Sequence, residues 1–226
     1  MGGKSKKMTG WIVFAFIGIL VSGTMVFADP INVGDTIYLY DREGTTGGGE
    51  FGVAKSSGGP ELFRTFCLER NEYFTPGVGY IVSGISDRAI HGGVGGGPAG
   101  DPLDPRTAYL YTQFRMGTLS SYDYTPNSSG HVSDANSLQL AIWFIEQEIT
   151  TVSDAQAQAW IWEAATAIDN GIWSGLGNVR AMNLVDAQGN PKQDQLVMVP
   201  EPSTLLLLGS GLIGLALFRR YRRRAN

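Results

Sequence analysis

Two short stretches hold the residues with the most chemistry in them: Phe66-Cys67-Leu68-Glu69, and Leu138-Gln139-Leu140-Ala141-Ile142-Trp143 with Phe144-Ile145-Glu146 after it. Cys67 is the only cysteine, so no disulfide forms within the chain. A lone thiol in an oxidising compartment is buried, paired between chains, or used. As a thiolate it is a strong nucleophile. A glutamine side chain offers a neutral carbonyl whose leaving group is ammonia. Trp143 stands one helical turn beyond Gln139, on the same side of a helix. The same residues also have plainer roles. A free cysteine usually behaves as a small buried hydrophobe, Gln139 suits a helix surface, and Trp143 suits a core, like Trp160 and Trp162.

Other chemistries find little support. The glycines of His91–Pro105 are followed by no Gly-Lys-Ser/Thr and no immediate helix, which argues against a phosphate cradle. Asp101 and Asp104 read as turn and cap residues, because no alternating run of oxygen ligands surrounds them. No Ser-His-Asp order, metal-ligand spacing or paired-carboxylate motif stands out. No cofactor and no metal is therefore expected. His131 lies just ahead of the Gln139 stretch, where a histidine is either a solvated residue near a cap or a base.

The elements that must position these residues are mixed. Thr36–Tyr40, Glu50–Lys55, Leu62–Glu69 and Tyr80–Ile85 read as strands, separated by Gly- and Pro-rich turns. Cys67 falls on the third. The middle of the chain turns helical. Asp104 caps and Pro105 opens a helix to Met116. Ser133 is expected to cap a helix over Asp134–Ile149, with Leu138, Ala141, Ile142, Ile145 and Ile149 as its apolar stripe. Ser153 and Gln156 form a capping box for a third helix to about Asp169. Strands return at Arg180–Val185 and Gln195–Val199, on either side of a turn at Ala187–Pro191. The pattern predicts an α+β fold: a β-rich, sandwich-like body with a helical insertion.

Both ends carry address signals. Lys4, Lys6 and Lys7, the apolar run Trp11–Val21 and the small-residue site Val26-Phe27-Ala28 read as a signal peptide over residues 1–28. The tail, 200–226, has Pro200-Glu201-Pro202, then the uncharged run Ser203–Phe218, then Arg219, Arg220, Arg222, Arg223 and Arg224. That run gives about 24 Å of helix at roughly 1.5 Å per residue, short of a bilayer core of about 30 Å. A span this short is accommodated by bilayer thinning or snorkelling, and the arginines hold the C-terminus in the cytoplasm. The tail resembles the PEP-CTERM sorting signal of Gram-negative bacteria. The resemblance implies recognition of the Pro-Glu-Pro element by an integral-membrane exosortase, a transient membrane stage, and delivery to the cell surface or extracellular matrix.

The body between the signals, 29–199, is one domain's worth of chain. From Asp29 to Glu201 there are nine basic and 21 acidic residues, a net charge of −12. A surface of that sign repels nucleic acid and anionic lipid. The two Cys and Gln stretches resemble motifs of thioester domains in bacterial surface adhesins, although Leu138 stands where that family usually has Thr. The resemblance implies an internal cross-link between Cys67 and Gln139, shielded by Trp143, with His131 as a candidate base for the attacking amine. It further implies a covalent partner bearing amines, and single use without turnover. A non-covalent structural matrix protein of the same fold is the alternative.

Overall fold

The computed structural model describes residues 29–45, 47–90, 93–94, 99–200, 211–215 and 219. The expected signal peptide, His91, Glu201, Pro202, Arg220 and Arg222–Arg224 lie outside the described residues. Eight strands and three body helices follow in chain order: β1 Thr36–Asp41, β2 Phe51–Ala54, β3 Phe63–Thr65, β4 Gly79–Ser86, β5 Arg88–Ala89, β6 Asp101–Pro102, α1 Pro105–Arg115, α2 Ser129–Ile145, α3 Ala155–Asp169, β7 Val179–Val185 and β8 Pro191–Met198. Six strands form one antiparallel sheet in the order β3-β2-β1-β4-β7-β8, and β5 pairs only with β6.

The body is not a sandwich of two facing sheets. Its main sheet closes on itself, because the chain after β3 leaves β2 and pairs with β8. The Leu196 N–H donates to Phe66 O and the Leu68 N–H donates to Asp194 O, at 3.1 and 3.0 Å. This short bridge covers part of the two edges that an open sheet would expose. It also explains why the expected strand Leu62–Glu69 is cut short at Thr65: its second half serves the opposite edge.

Closure creates two apolar layers. One lies inside the sheet and contains Ile37, Leu39, Val53, Phe63, Val82, Met182, Leu184 and Val197. The other lies between sheet and helices, with Leu110, Tyr111 and Phe114 of α1, Leu138, Ala141, Ile142 and Ile145 of α2, Trp160 and Ala164 of α3, and Leu196 and Met198 of β8. Strand residues alternate between the layers, as the two-residue period requires. The ends of the body meet: the Asp29 N–H donates to Met198 O, and the Asp29 carboxylate receives Arg115 at 2.8 Å.

Helix α1 begins at the expected cap, Asp104. The other two starts move. α2 is capped by Ser128, whose hydroxyl accepts from the His131 N–H at 2.9 Å, so it begins before Ser133. It ends at Ile145 rather than Ile149, where Gln147 turns left-handed at φ 63°. α3 is capped by Asp154, which accepts from the Ala157 N–H at 2.7 Å, one residue beyond Ser153.

Candidate functional site

The strand switch after β3 builds the site. Cys67 and Gln195 sit opposite each other in an isolated antiparallel bridge. The ladder bonds there come from flanking residues, which makes this a non-hydrogen-bonded pair, the kind whose side chains approach most closely. Phe66, Leu68 and Leu196 point toward the helices, whereas Cys67 and Val197 belong to the interior. Gln195 shares that interior phase. Its Nε2 donates to Cys67 Sγ at 3.5 Å and to Gln193 O at 3.3 Å. Its Oε1 is buried with no partner among the described residues.

The pairing leaves the N–H and C=O of Cys67 pointing away from β8, and Gln139 of α2 takes both. The Cys67 N–H donates to Gln139 Oε1 at 3.1 Å, and Gln139 Nε2 donates to Cys67 O at 3.0 Å. The carboxamide acts as a one-residue stand-in for a neighbouring strand. The loop before β2 closes the site from the other side. A Cβ on Gly48 would lie 2.5 Å from Trp143 Cζ2, and one on Gly49 would lie 2.6 Å from Phe66 Cδ1 and 3.1 Å from Gln139 Oε1. Only glycine fits that approach.

Cys67, Gln139 and Gln195 are fully buried and Trp143 almost so. Burial pushes the Cys67 thiol up to about 12, against the opposing pull of the Gln195 side chain and the Gly49 N–H. The sulfur is thus held as a thiol at neutral pH, in contact with one carboxamide and with its backbone clamped by another. A thiol against a carboxamide whose oxygen is unpartnered can condense with it and expel ammonia.

His131 does not join this group. Its Nε2 faces Glu50 Oε2 at 2.8 Å and its Nδ1 faces Thr125 O at 3.3 Å, so both ring nitrogens are engaged. Arg64 pairs with Glu43 and Glu50 at 2.7 and 2.8 Å, and also with Glu61. The Tyr122 hydroxyl donates to Glu50 Oε2. Burial raises the Glu50 carboxyl, and Arg64 and His131 offset part of the rise. Glu43, Glu50 and His131 bring ligand-type atoms within 4.8 Å of one another. Arg64 bridges the two carboxylates, and both ring nitrogens of His131 already face oxygen partners, so the group forms a hydrogen-bonded ion network.

Sequence reasoning missed Gln195. The available signal was its phase: in Gln195-Leu196-Val197-Met198 every residue is buried, so a glutamine in step with Val197 is a polar group on an interior face. Two further buried carboxyls, Glu69 and Asp194, flank the switch, and burial raises both.

Residues 199–223 match the PEP-CTERM protein-sorting motif. The chain is accordingly an exported protein, anchored in the membrane before cleavage, with exosortase as its processing partner. Pro200 is the last described residue of the strand exit; Gly211–Leu215 is helical and exposed, and Arg219 is helical. Among the described residues no helix is long and apolar enough to cross a membrane. No curated protein and no solved structure matches the chain.

Proposed function

We propose that the body is a surface or exopolymer-matrix adhesin that attaches covalently to amine-bearing partners through an internal thioester of Cys67. The single observation that carries this reading is the contact of the Gln195 carboxamide with the Cys67 sulfur, 3.5 Å from Nε2 to Sγ, in a closed, apolar-walled site. That contact favours Gln195 as acyl donor over Gln139, whose two amide atoms are both committed to the Cys67 backbone. In the proposed step the sulfur attacks the Gln195 carbonyl carbon, the C–N bond breaks, and the thiol proton leaves with the nitrogen as ammonia. A partner amine then attacks the same carbon. The C–S bond breaks, its electron pair returns to sulfur with a proton from the amine, and an amide remains. Gln139 fixes the Cys67 backbone, and Trp143 and the Gly48-Gly49 loop keep water out. The chemistry is spent once, and no turnover is expected.

A second reading, a non-covalent matrix protein of the same fold, draws support from the same burial, which holds the thiol protonated. Peptide mapping after methylamine treatment separates the possibilities. Methylamide at Gln195 with a freed Cys67 thiol is the expected result. Methylamide at Gln139 would return the acyl donor to that residue, and no methylamide anywhere would leave the non-covalent reading.

A further inference from the structure

The chain leaves the body where β8 ends, and a loop without a charged residue stands at that exit. It is Asn170-Gly-Ile-Trp-Ser-Gly-Leu-Gly-Asn178, between α3 and β7. Val179 of β7 lies opposite Met198 of the antiparallel β8, so the start of β7 and the end of β8 share one end of the sheet. The Val199 N–H donates to Asn178 O at 2.8 Å and fastens the exit to the loop. The surrounding body, Asp29 to Val199, has nine basic and 20 acidic residues, a net charge of −11.

Internal contacts hold the loop in one shape. The N–H groups of Ile172 and Trp173 both donate to Ala167 O, at 2.9 and 3.1 Å, and the Val179 N–H donates to Leu176 O at 3.0 Å. Trp173 packs edge-on against Tyr109, with ring centroids 5.9 Å apart, and its Nε1 donates to Gly175 O at 2.9 Å. Gly177 is left-handed at φ 52°, and a Cβ there would lie 3.0 Å from the indole, so the turn favours glycine. Ile172 is thereby held outward, with 73% of its surface exposed. A lone exposed isoleucine needs no explanation; the place of this one, at the exit, gives it a meaning. Asp169 and Arg180 flank the loop, and Arg180 Nη1 donates to Gly177 O at 2.9 Å, which lays its positive charge against the loop.

The sorting motif matches from residue 199, and the chain is membrane-anchored before cleavage. From Val199 to Ser203, where the apolar run begins, is four residues, at most about 14 Å of extended chain. The end of the sheet that carries the loop is thus kept beside the bilayer while the tail is intact. We propose that loop 170–178 rests on the bilayer interface, with Ile172 inserted at the boundary of headgroups and acyl chains, as a second membrane contact beside the tail. Tryptophan and aliphatic side chains suit that layer. An uncharged loop loses no ion hydration there, and the arginine at its base suits lipid phosphate. A contact this small is too weak to hold a free protein; the anchored tail supplies the effective concentration at which it forms. It fixes the orientation of the body and, with it, the place of Pro200-Glu201-Pro202 at the membrane surface. The contact does not depend on the thioester.

The full chain is reconstituted in phosphatidylcholine vesicles whose lipids carry a fluorescence quencher. A fluorophore is attached through Ser174→Cys, in the loop, or through Gln188→Cys, in the exposed β7–β8 turn at the opposite end of the sheet. Both are made in Cys67→Ala, so that one thiol reacts. Quenching is expected to be about threefold or more stronger at position 174 than at position 188. Ile172→Asp is expected to bring position 174 down to the level of position 188. The side chain it replaces is exposed, so the fold is kept, and an unchanged thermal melt checks this. Equal quenching at the two positions, or quenching at position 174 that survives Ile172→Asp, overturns the contact. Quenching at position 174 that appears only when exosortase is added also overturns it, and gives the loop to the enzyme instead of the lipid.

Discussion

Two buried polar clusters lie on either side of one glycine-rich loop, and they are finished differently. Glu50 sends its carboxylate into the cluster of Glu43, Arg64, Tyr122 and His131, where charges meet opposite charges and no buried side-chain atom lacks a partner. One residue earlier, Gly49 directs its N–H to the Cys67 sulfur. There the groups are neutral, and Gln195 Oε1 is left without a partner among the described residues. Buried ions must be compensated or the fold fails. A neutral carbonyl can be left unsatisfied at a smaller cost, which suits the reactivity proposed for that position. The first cluster holds the loop; the second is what the loop covers.

That contrast can be broken from the charged side. Arg64→Met leaves Glu43 and Glu50 without their shared cation and is expected to lower stability by about 3 kcal/mol, read by urea denaturation. A loss below about 1 kcal/mol would mean that the network does not anchor the loop. A smaller effect is expected from pH. Burial raises the Glu146 carboxyl to about 8, above its value in the unfolded chain. Between those values the folded state holds a proton that the unfolded state has lost. Glu146 therefore contributes full stability below about pH 4.5 and loses it as pH rises through 8. Glu146→Gln should flatten the fall in unfolding free energy between pH 5 and 9, by an amount on the order of 2 kcal/mol, read from urea denaturation across that range; parallel curves for variant and wild type would contradict this.

The neutral side is tested more gently. Gly48→Ala drives a methyl into Trp143 and should cost about 1–2 kcal/mol, while raising solvent exchange at the Trp143 indole N–H. Unchanged exchange would show that the loop does not seal the site. Trp143→Phe removes the orphaned N–H and keeps most of the wall, so its stability should change by less than about 1 kcal/mol. A large loss would mean that the indole nitrogen has a structural partner.

Much of the fold was legible in the sequence because it rests on local rules. Asp104 followed by Pro105 started α1 where a capping residue and a helix-compatible proline predict, and the stripe Leu138, Ala141, Ile142 and Ile145 is buried. The failures have non-local causes. Nothing in Leu62–Glu69 announces that half of it pairs with β8, more than 120 residues away, and that switch turns a predicted sandwich into a closed sheet. The helix stop at Gln147 uses a left-handed residue that is neither glycine nor asparagine. At the site, Cys67 and Gln139 were legible as residue types, and the fold brings Gln139 onto the Cys67 backbone. Gln195 was legible only as a polar residue in step with Val197; that the shared face meets Cys67 depends on a pairing 128 residues away. His131 was legible as a titratable group, but its engagement with Glu50 depends on a contact 81 residues away.

The central claim is that Cys67 shares a covalent bond with a glutamine carbonyl in the folded protein, and intact mass tests it most directly. The purified folded chain is expected to weigh one ammonia less than its sequence. After methylamine it should gain one methylamine, with a Cys67 thiol newly open to alkylation on unfolding. Cys67→Ala should show full mass and no adduct. A wild-type chain at full sequence mass, with an alkylatable thiol after unfolding and no reaction with amine, would contradict the account.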